Sequence, residues 1–206
     1  MPRPAKEKRD KPTFIEEARR AQIVSAAREI FLQDGFEKST ISQIAKSIGV
    51  SKGVILYHFG NKTDLGQTVI EEILTSYGSY IAEQLAKEKP AVDKILAFPM
   101  VCAKFMEENQ DNFILYLDTL GSFGDIEKKR TYMAQANQIQ RDYLVRLIDE
   151  AKKNGDVAGV NSVTLADTIQ AFVDGINSQF CADPKTVNPV QCAKLFRNFL
   201  RESLLR

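Results

Sequence analysis

The sequence predicts an all-α protein, and three observations support this fold class. Apolar residues recur at the i, i+3, i+4 spacing of a helix through almost the whole chain. No segment alternates apolar and polar residues between turn residues, as a half-buried strand does. Capping residues, glycine and proline interrupt the helical pattern and divide it into nine segments.

The first four predicted helices begin at capping residues. They cover about residues 13–34, 41–48, 52–59 and 62–86. Thr40 is placed to cap the second helix, and Gln43 three positions later completes a capping box. Ser51 is placed to cap the third helix, and Asn61 with Asp64 is placed to start the fourth.

The remaining five predicted helices carry broad apolar stripes. They cover about residues 91–108, 111–120, 126–153, 162–182 and 189–205. The last two are apolar over more than one face, and such a helix is either central in a large core or covered by a partner. Because the final helix ends the chain, we favour a partner.

Charge is unevenly distributed along the chain, although the net charge is only +1. Residues 1–66 hold 12 basic and 8 acidic residues, a balance of +4, whereas residues 67–206 hold 16 and 19, a balance of −3. Such a step is expected when one end of a chain binds a polyanion, and it also arises by chance in a chain of this size. Residues 1–12 combine five basic residues with three prolines, which predicts a flexible basic arm.

Several classes of protein are disfavoured by what the sequence lacks. The longest apolar run has nine residues, which is too short for a transmembrane helix, and no apolar segment follows the charged start of a secretory signal. Three cysteines without C-x-x-C spacing and a single histidine, His58, offer no metal site and no disulfide framework. We therefore expect a cytoplasmic protein without catalytic residues, metal or cofactor, and not an enzyme.

Residues 40–59 have the layout of a helix-turn-helix motif, in which the second short helix lies in the DNA major groove. If Ile55 and Phe59 face the core, helical geometry puts Gly53 and Tyr57 on the opposite face. Lys52 lies at the helix N-terminus, where the helix dipole favours phosphate. An ordinary helical corner gives the same short-range pattern.

A longer ordered motif surrounds this segment. It reads Ile23-x-x-Ala26-Ala27-x-x-Ile30-Phe31-x-x-x-Gly35-Phe36, then Thr40-Ile41-x-x-Ile44-Ala45-x-x-x-Gly49-Val50-Ser51-Lys52-Gly53, then Tyr57-His58-Phe59-x-Asn61-Lys62-x-x-Leu65. This motif resembles the TetR family of one-component bacterial regulators over roughly residues 19–66. The resemblance implies a three-helix DNA-binding domain at residues 13–66 and a helical domain for effector binding and dimerisation at residues 67–206.

The resemblance also implies contacts to double-stranded operator DNA at particular positions. These are Thr40, Ser51, Lys52, Gly53, Val54, Tyr57, His58 and Lys62. The sequence departs from the family at Leu56, where many members have tyrosine, and at Val54, where threonine is frequent. Two of these residues have an alternative explanation in the sequence: Tyr57 could pack against the fourth helix, and Lys62 could be a solvated surface lysine.

In the helical domain, the resemblance implies an effector cavity and a two-fold dimer interface. Aromatic residues at helical spacing are candidates for the cavity, although most aromatic residues of such a domain form its core: Phe98, Phe105, Phe113, Tyr116, Tyr132, Tyr143 and Phe172, with Asn137 as a further polar anchor. Candidates for the dimer interface are Phe172, Ile176, Phe180, Phe196, Phe199 and Leu200.

These features together predict a homodimeric, ligand-responsive transcriptional regulator. The first hypothesis is a repressor that a small, mostly apolar effector releases from its operator. The alternative is a regulator of the same family that needs a corepressor or acts as an activator. A helical enzyme and a purely structural interaction protein are the remaining hypotheses from other classes.

Deletion of residues 1–12 is expected to weaken the salt dependence of DNA binding, because each lysine or arginine at a phosphate releases counterions. The measurement is the logarithm of the binding constant against the logarithm of salt concentration, for the full and the shortened chain. We expect a shallower slope for the shortened chain. An unchanged slope would count against a role of the arm in DNA binding.

Overall fold

A computed structural model describes residues 13–88 and 90–204. Over these residues the fold is all-helical, which confirms the predicted fold class. The nine helices of this part of the chain are α1 (Phe14–Asp34), α2 (Ile41–Ser47), α3 (Lys52–Phe59), α4 (Lys62–Leu85), α5 (Ala91–Glu108), α6 (Gln110–Gly121), α7 (Ile126–Lys153), α8 (Ser162–Ala182) and α9 (Pro189–Leu204). The predicted basic arm at residues 1–12 lies outside the described residues.

Local hydrogen bonds explain where the first helices begin. In α2, the Gln43 backbone N–H donates to Thr40 Oγ1 at 3.2 Å, and the Thr40 backbone N–H donates to Gln43 Oε1 at 2.8 Å. This confirms the predicted capping box. The Asp64 N–H donates to Asn61 Oδ1 at 2.9 Å and starts α4 in the predicted way.

Ser51 occupies the predicted N-cap position of α3, but its side chain caps no N–H group of the described chain. The backbone supplies the physical reason. The Val54 N–H, which a capping hydroxyl would accept, donates to the Ser51 carbonyl oxygen at 3.0 Å. The Ser51 hydroxyl is therefore not needed to start the helix.

The described residues up to Val69 form one compact unit, and those from Ile70 form a second, so the division falls within α4. In the amino-terminal unit, α1 packs on α2, and α2 packs on α3. Its core is made of fully buried apolar side chains: Ile23, Ala27, Phe31, Ile44, Ile55 and Leu65. This packing matters because α2 and α3 have only seven and eight residues.

Two glycines allow the chain to turn on either side of α3. Gly49 between α2 and α3 and Gly60 after α3 both have φ of +68°, in the left-handed region that glycine adopts without strain. At Gly60 a Cβ atom would also lie 3.0 Å from the Asp64 carboxylate. A side chain at position 60 is therefore disfavoured by both backbone and space.

In the carboxyl-terminal unit, α5 packs against α7, α8 and α9. The side chains at the centre of this core are fully buried: Ile95, Phe98, Cys102, Leu144, Ile148, Ala151, Ala166 and Ile169. A smaller cluster joins Ile70 of α4 to Leu120 and Phe123 at the end of α6. None of the helices in the described ranges is both long and apolar enough to span a membrane.

Candidate nucleic-acid interface and carboxyl-terminal cavity

Helix α3 has one buried face and one exposed face. Ile55 and Phe59 are buried, whereas Lys52, Gly53 and Tyr57 are exposed. Tyr57 has 75% of its surface accessible, so it does not pack against α4 as the alternative explanation requires. The structure therefore brings three of the predicted contact residues to one exposed surface.

Gly53 has no packing reason to be a glycine. A Cβ atom at this position would meet only Ser51 Oγ among the described residues, at the ordinary contact distance of 3.6 Å. A glycine inside a helix lowers helix stability relative to alanine. The open space above Gly53 is consistent with close approach by a partner molecule.

The other predicted contact residues of this segment lie around the same helix. Thr40 and Ser51 are exposed, and Val54 and His58 are half-buried. The Thr40 hydroxyl is engaged with Gln43 Oε1 at 2.8 Å. The His58 ring lies edge-on to the Tyr57 ring, with 5.1 Å between ring centroids. Their contacts to DNA remain predictions.

Arg20 of α1 holds the end of α3, and the sequence reasoning missed it. Its Nη1 donates to the His58 carbonyl oxygen at 2.9 Å, and its Nη2 donates to Thr68 Oγ1 at 3.3 Å. The guanidinium carbon lies 4.2 Å from the centroid of the Phe59 ring. Arg20 therefore fixes the last turn of α3 relative to α1 and α4.

Lys62 is engaged inside the protein, which departs from the phosphate contact that the family resemblance implies. Its Nζ donates to the carbonyl oxygens of Phe36, Glu37 and Ser39 at 2.9, 3.0 and 3.0 Å. Its ammonium also lies 4.6 Å from the centroid of the Phe36 ring. These bonds use all three ammonium donors, so Lys62 secures the segment between α1 and α2.

The carboxyl-terminal unit contains a cavity of about 230 Å³ between α4, α5, α6, α7 and α8. Its aromatic lining residues are Tyr77, Phe105, Phe113 and Tyr116. Its polar lining residues are Asn109, Asn112, Asn137, Gln140, Gln170, Asp174 and Ser178. Three of the seven aromatic residues predicted for an effector cavity, together with Asn137, thus line this space.

The other four predicted cavity residues lie elsewhere. Phe98 and Tyr143 line a second cavity of about 230 Å³, and Phe98 is otherwise a core residue. Tyr132 donates to Glu71 Oε1 at 2.9 Å and lines a third depression. Phe172 lines none of these three, because its ring is stacked on the Phe196 ring with 3.9 Å between centroids.

Desolvation changes the acidity of two polar groups around the first cavity, although Asp174 as a whole residue is exposed. Desolvation raises the pKa of the Asp174 carboxyl, and a hydrogen bond from Gln170 opposes this rise. Burial also raises the pKa of the Tyr77 hydroxyl, and the adjacent Cys102 thiol and the Asp174 charge add to the rise. The sequence reasoning missed Tyr77, Gln170 and Asp174. The sequence did contain one signal for this site, since the Asp174 carboxyl lies beside buried apolar positions of α8.

Three residues predicted for the dimer interface are largely buried in the single subunit. These are Ile176, Phe180 and Leu200, and their contact with a second copy stays a prediction. Phe199 is the exposed exception, with 55% of its surface accessible, and Leu195 beside it is equally exposed. One apolar face of α9 therefore packs in the subunit core, and the other, with Leu195 and Phe199, lies on the surface.

No group of three histidine, cysteine or acidic side chains within residues 13–88 and 90–204 is placed to hold a metal ion. The three cysteines are free thiols, and burial raises the pKa of Cys102 to about 12.

Known proteins match both parts of the chain to different extents. Residues 23–68 match the family model described as "Bacterial regulatory proteins, tetR family". The HTH-type transcriptional regulator HbdR of Aromatoleum sp. (strain CIB) is 39% identical over 74 residues, which are 36% of this chain and 32% of HbdR. The match thus spans about a third of the length of that relative.

Two further relatives match almost the whole chain. The nucleoid occlusion factor SlmA of Marinomonas sp. (strain MWYL1) is 25% identical over 189 residues, which are 88% of this chain and 95% of SlmA. The crystal structure of the transcriptional regulator FadR from Bacillus subtilis in complex with stearoyl-CoA has a TM-score of 0.74 at 19% identity. It covers 89% of this chain and 98% of FadR, and at this identity the likeness concerns the fold.

A short, exposed second helix held by a capped first helix defines a helix-turn-helix protein. Within this class, residues 23–68 are similar to the TetR family, whose model they match. This confirms the resemblance that the residue motif carried.

Replacement of Lys62 by methionine is expected to lower the free energy of unfolding of the amino-terminal unit by about 1–3 kcal/mol, because three carbonyl oxygens lose a charged donor. Denaturant unfolding followed by circular dichroism measures this. Lys46→Met, at an exposed position of α2, is the matched control and should change stability little.

The same pair of variants separates the structural role from a phosphate contact. If Lys62 bound phosphate instead, Lys62→Met would leave the unfolding curve unchanged. It would then reduce the slope of log binding constant against log salt by about 0.9.

Proposed function

We propose that the chain is a homodimeric, ligand-responsive, DNA-binding transcriptional regulator. In this proposal it is a repressor that a small, mostly apolar effector releases from operator DNA. The single observation that carries the proposal is the exposed face of α3, which presents Lys52, Gly53 and Tyr57 to solvent. The family match over residues 23–68 supports the same function.

The chemistry of this surface suits the DNA major groove. Lys52 is in the first turn of α3, where the helix dipole and free N–H groups already favour a phosphate. Gly53 lets the backbone approach the groove floor, and the Tyr57 hydroxyl can hydrogen-bond to a base edge or a phosphate. Leu56 and Val54, both without a hydroxyl, offer apolar contact to a thymine methyl group.

The proposed division of labour follows the two parts of the chain. Residues 13–66 read DNA, residues 1–12 add salt-dependent affinity, and residues 67–206 bind the effector and dimerise. We place the protein in the cytoplasm, where operator DNA is available. We propose no catalytic activity, because the relatives HbdR and FadR are named as regulators.

Dimerisation is supported by exposed apolar side chains on the last two helices. Val163 at the start of α8 and Leu195 and Phe199 on α9 are accessible in the subunit. Large apolar groups on one surface region usually mark a protein–protein contact. Phe199 also lines a surface depression with Thr168 of α8, which offers a recess for the same residues of a second copy.

The cavity between α4 and α8 supports an effector site, and the structure of FadR with stearoyl-CoA shows that a protein of this fold can bind a small molecule. An effector that binds one arrangement of the helices better than another shifts the population toward that arrangement. Release from DNA follows if the favoured arrangement separates the two copies of α3 from operator spacing.

The alternative within the family is a regulator that needs its ligand as corepressor or acts as an activator. The sign of the ligand effect on DNA affinity distinguishes the two hypotheses. A ligand that raises affinity for the operator supports the alternative, and a ligand that lowers it supports release.

Specific DNA binding is tested with the DNA upstream of the gene for this protein, by fluorescence anisotropy with excess unrelated DNA as competitor. Tyr57→Ala is expected to weaken binding to this DNA by about tenfold or more, because a direct contact is lost. Ile126→Ala is the matched control, since Ile126 is 67% exposed and lies in the carboxyl-terminal unit. Equal affinity of the wild type for upstream and unrelated DNA would contradict the proposal.

The dimer is tested by sedimentation at micromolar concentration. The wild type is expected to sediment as a dimer, and Phe199→Glu as a monomer, because the partner would have to bury an unpaired carboxylate. Ile114→Glu, at a similarly exposed position of α6, is the control and should remain dimeric. A monomeric wild type would overturn this part of the proposal.

A further inference from the structure

We propose that the cavity between α4 and α8 binds an organic cation, an amine that carries a small apolar group. Asp174 supplies the opposite charge, and the side-chain amide oxygens of Gln170 and Gln140 accept hydrogen bonds from the amine. This inference rests on the proposed function, because it names the class of effector for the same site.

The charge of the cavity wall has one sign. Asp174 is the one carboxyl group among the lining residues that the structure describes, and no lysine, arginine or histidine is among them. An anionic ligand would therefore meet a carboxylate without any compensating cation. A cationic ligand would meet the opposite charge.

Asp174 differs from Asp167, the other carboxylate of α8, in whether it has an ion-pair partner. Asp167, two turns earlier on α8, pairs with Arg141 of α7, with 2.6 Å between Nε and Oδ1. Asp174 accepts a hydrogen bond from the Gln170 amide at 2.8 Å but forms no ion pair within the described chain. Its charge is therefore available to a ligand.

Two of the unpartnered atoms of the lining residues are amide oxygens, which only accept hydrogen bonds, and the third is the Tyr77 hydroxyl, which can donate or accept. Gln170 is only 8% exposed, and because its Nε2 donates to Asp174, its amide group is fixed with Oε1 free. Gln170 Oε1 and Gln140 Oε1 are both buried and have no hydrogen-bond partner in the described structure. A buried acceptor without a donor is costly, so these oxygens favour a ligand that donates N–H groups.

The aromatic side chains around these acceptors fit the rest of such a ligand. The Tyr77 and Phe105 rings lie 5.0 Å apart between centroids, and the Phe113 and Tyr116 rings lie 5.7 Å apart. The faces of such rings attract cations and also bury apolar surface. Burial is the main cause of the raised pKa of Tyr116, and the charge of Asp174 adds to it.

The size of the cavity limits the ligand. A volume of about 230 Å³ equals the share of about eight water molecules in the liquid. One aromatic ring with a short chain and an ammonium group matches this space. Asn137 and Ser178 can donate or accept and therefore do not select the charge of the ligand.

The test uses three probes that share a phenyl ring and a four-carbon chain: 4-phenylbutylammonium, 4-phenylbutan-1-ol and 4-phenylbutyrate. Each is titrated calorimetrically into the full chain at neutral pH. We expect the ammonium probe to bind about tenfold or more tightly than the alcohol, because it gains a charged hydrogen bond. The carboxylate probe is expected to bind more weakly than the alcohol.

Three variants assign the preference to Asp174. Asp174→Asn is expected to remove the advantage of the ammonium probe over the alcohol. Asp174→Glu keeps the charge and should keep the advantage. Asp167→Asn is the matched control on the same helix and should behave like the wild type. The thermal unfolding midpoint of each variant without ligand shows whether the fold is retained.

Two results would overturn the proposal. One is that the alcohol or the carboxylate binds as tightly as the ammonium, or that none of the three binds. The other is that Asp174→Asn retains the full preference for the ammonium. Specific binding to upstream DNA is measured separately, so a chain that binds DNA but not the cation loses this inference and keeps its proposed function.

Discussion

The amino-terminal unit depends on the restraint of two helices that are too short to persist alone. Helices of seven and eight residues gain few internal hydrogen bonds for the cost of nucleation, so α2 and α3 exist because α1 and α4 hold them. Arg20 donates to the His58 carbonyl oxygen in the last turn of α3, and Lys62 donates to three carbonyl oxygens between α1 and α2. Arg20 thereby satisfies a carbonyl oxygen at the end of α3, and Lys62 satisfies carbonyl oxygens of the loop between α1 and α2. The orientation of the exposed face of α3 depends on these bonds.

The sequence predicted this unit well wherever the determining interaction is local. The capping box of Thr40 and Gln43 joins residues three positions apart, so its spacing is visible in the sequence. The bonds of Arg20 and Lys62 join residues 38 and 23 to 26 positions apart. Residue type indicates that such cations need partners, but only the packed helices decide which carbonyl oxygens lie within reach. The phosphate contact that the family resemblance implies for Lys62 stays a prediction.

In the carboxyl-terminal unit, helix positions were predicted to within about one residue, but the partners of each apolar face were not. Periodicity shows that a side chain is buried without showing what buries it. Ile176 and Leu200, for example, are predicted for a dimer interface and are largely buried within the subunit. The cavity shows the same limit. Its aromatic residues were visible as a pattern, whereas Gln140 and Asp174 become neighbours only when α7 and α8 pack together.

The two glycines of the α3 region have opposite consequences for evolution. Gly60 has a left-handed backbone and a carboxylate 3.0 Å from the position of a Cβ atom, so substitution there would disturb the fold before it altered recognition. Gly53 has helical backbone and open space, so many residues can occupy its position without cost to the core. If α3 binds DNA as proposed, a substitution at position 53 changes the surface offered to DNA without disturbing the core, which separates change of specificity from the risk of misfolding.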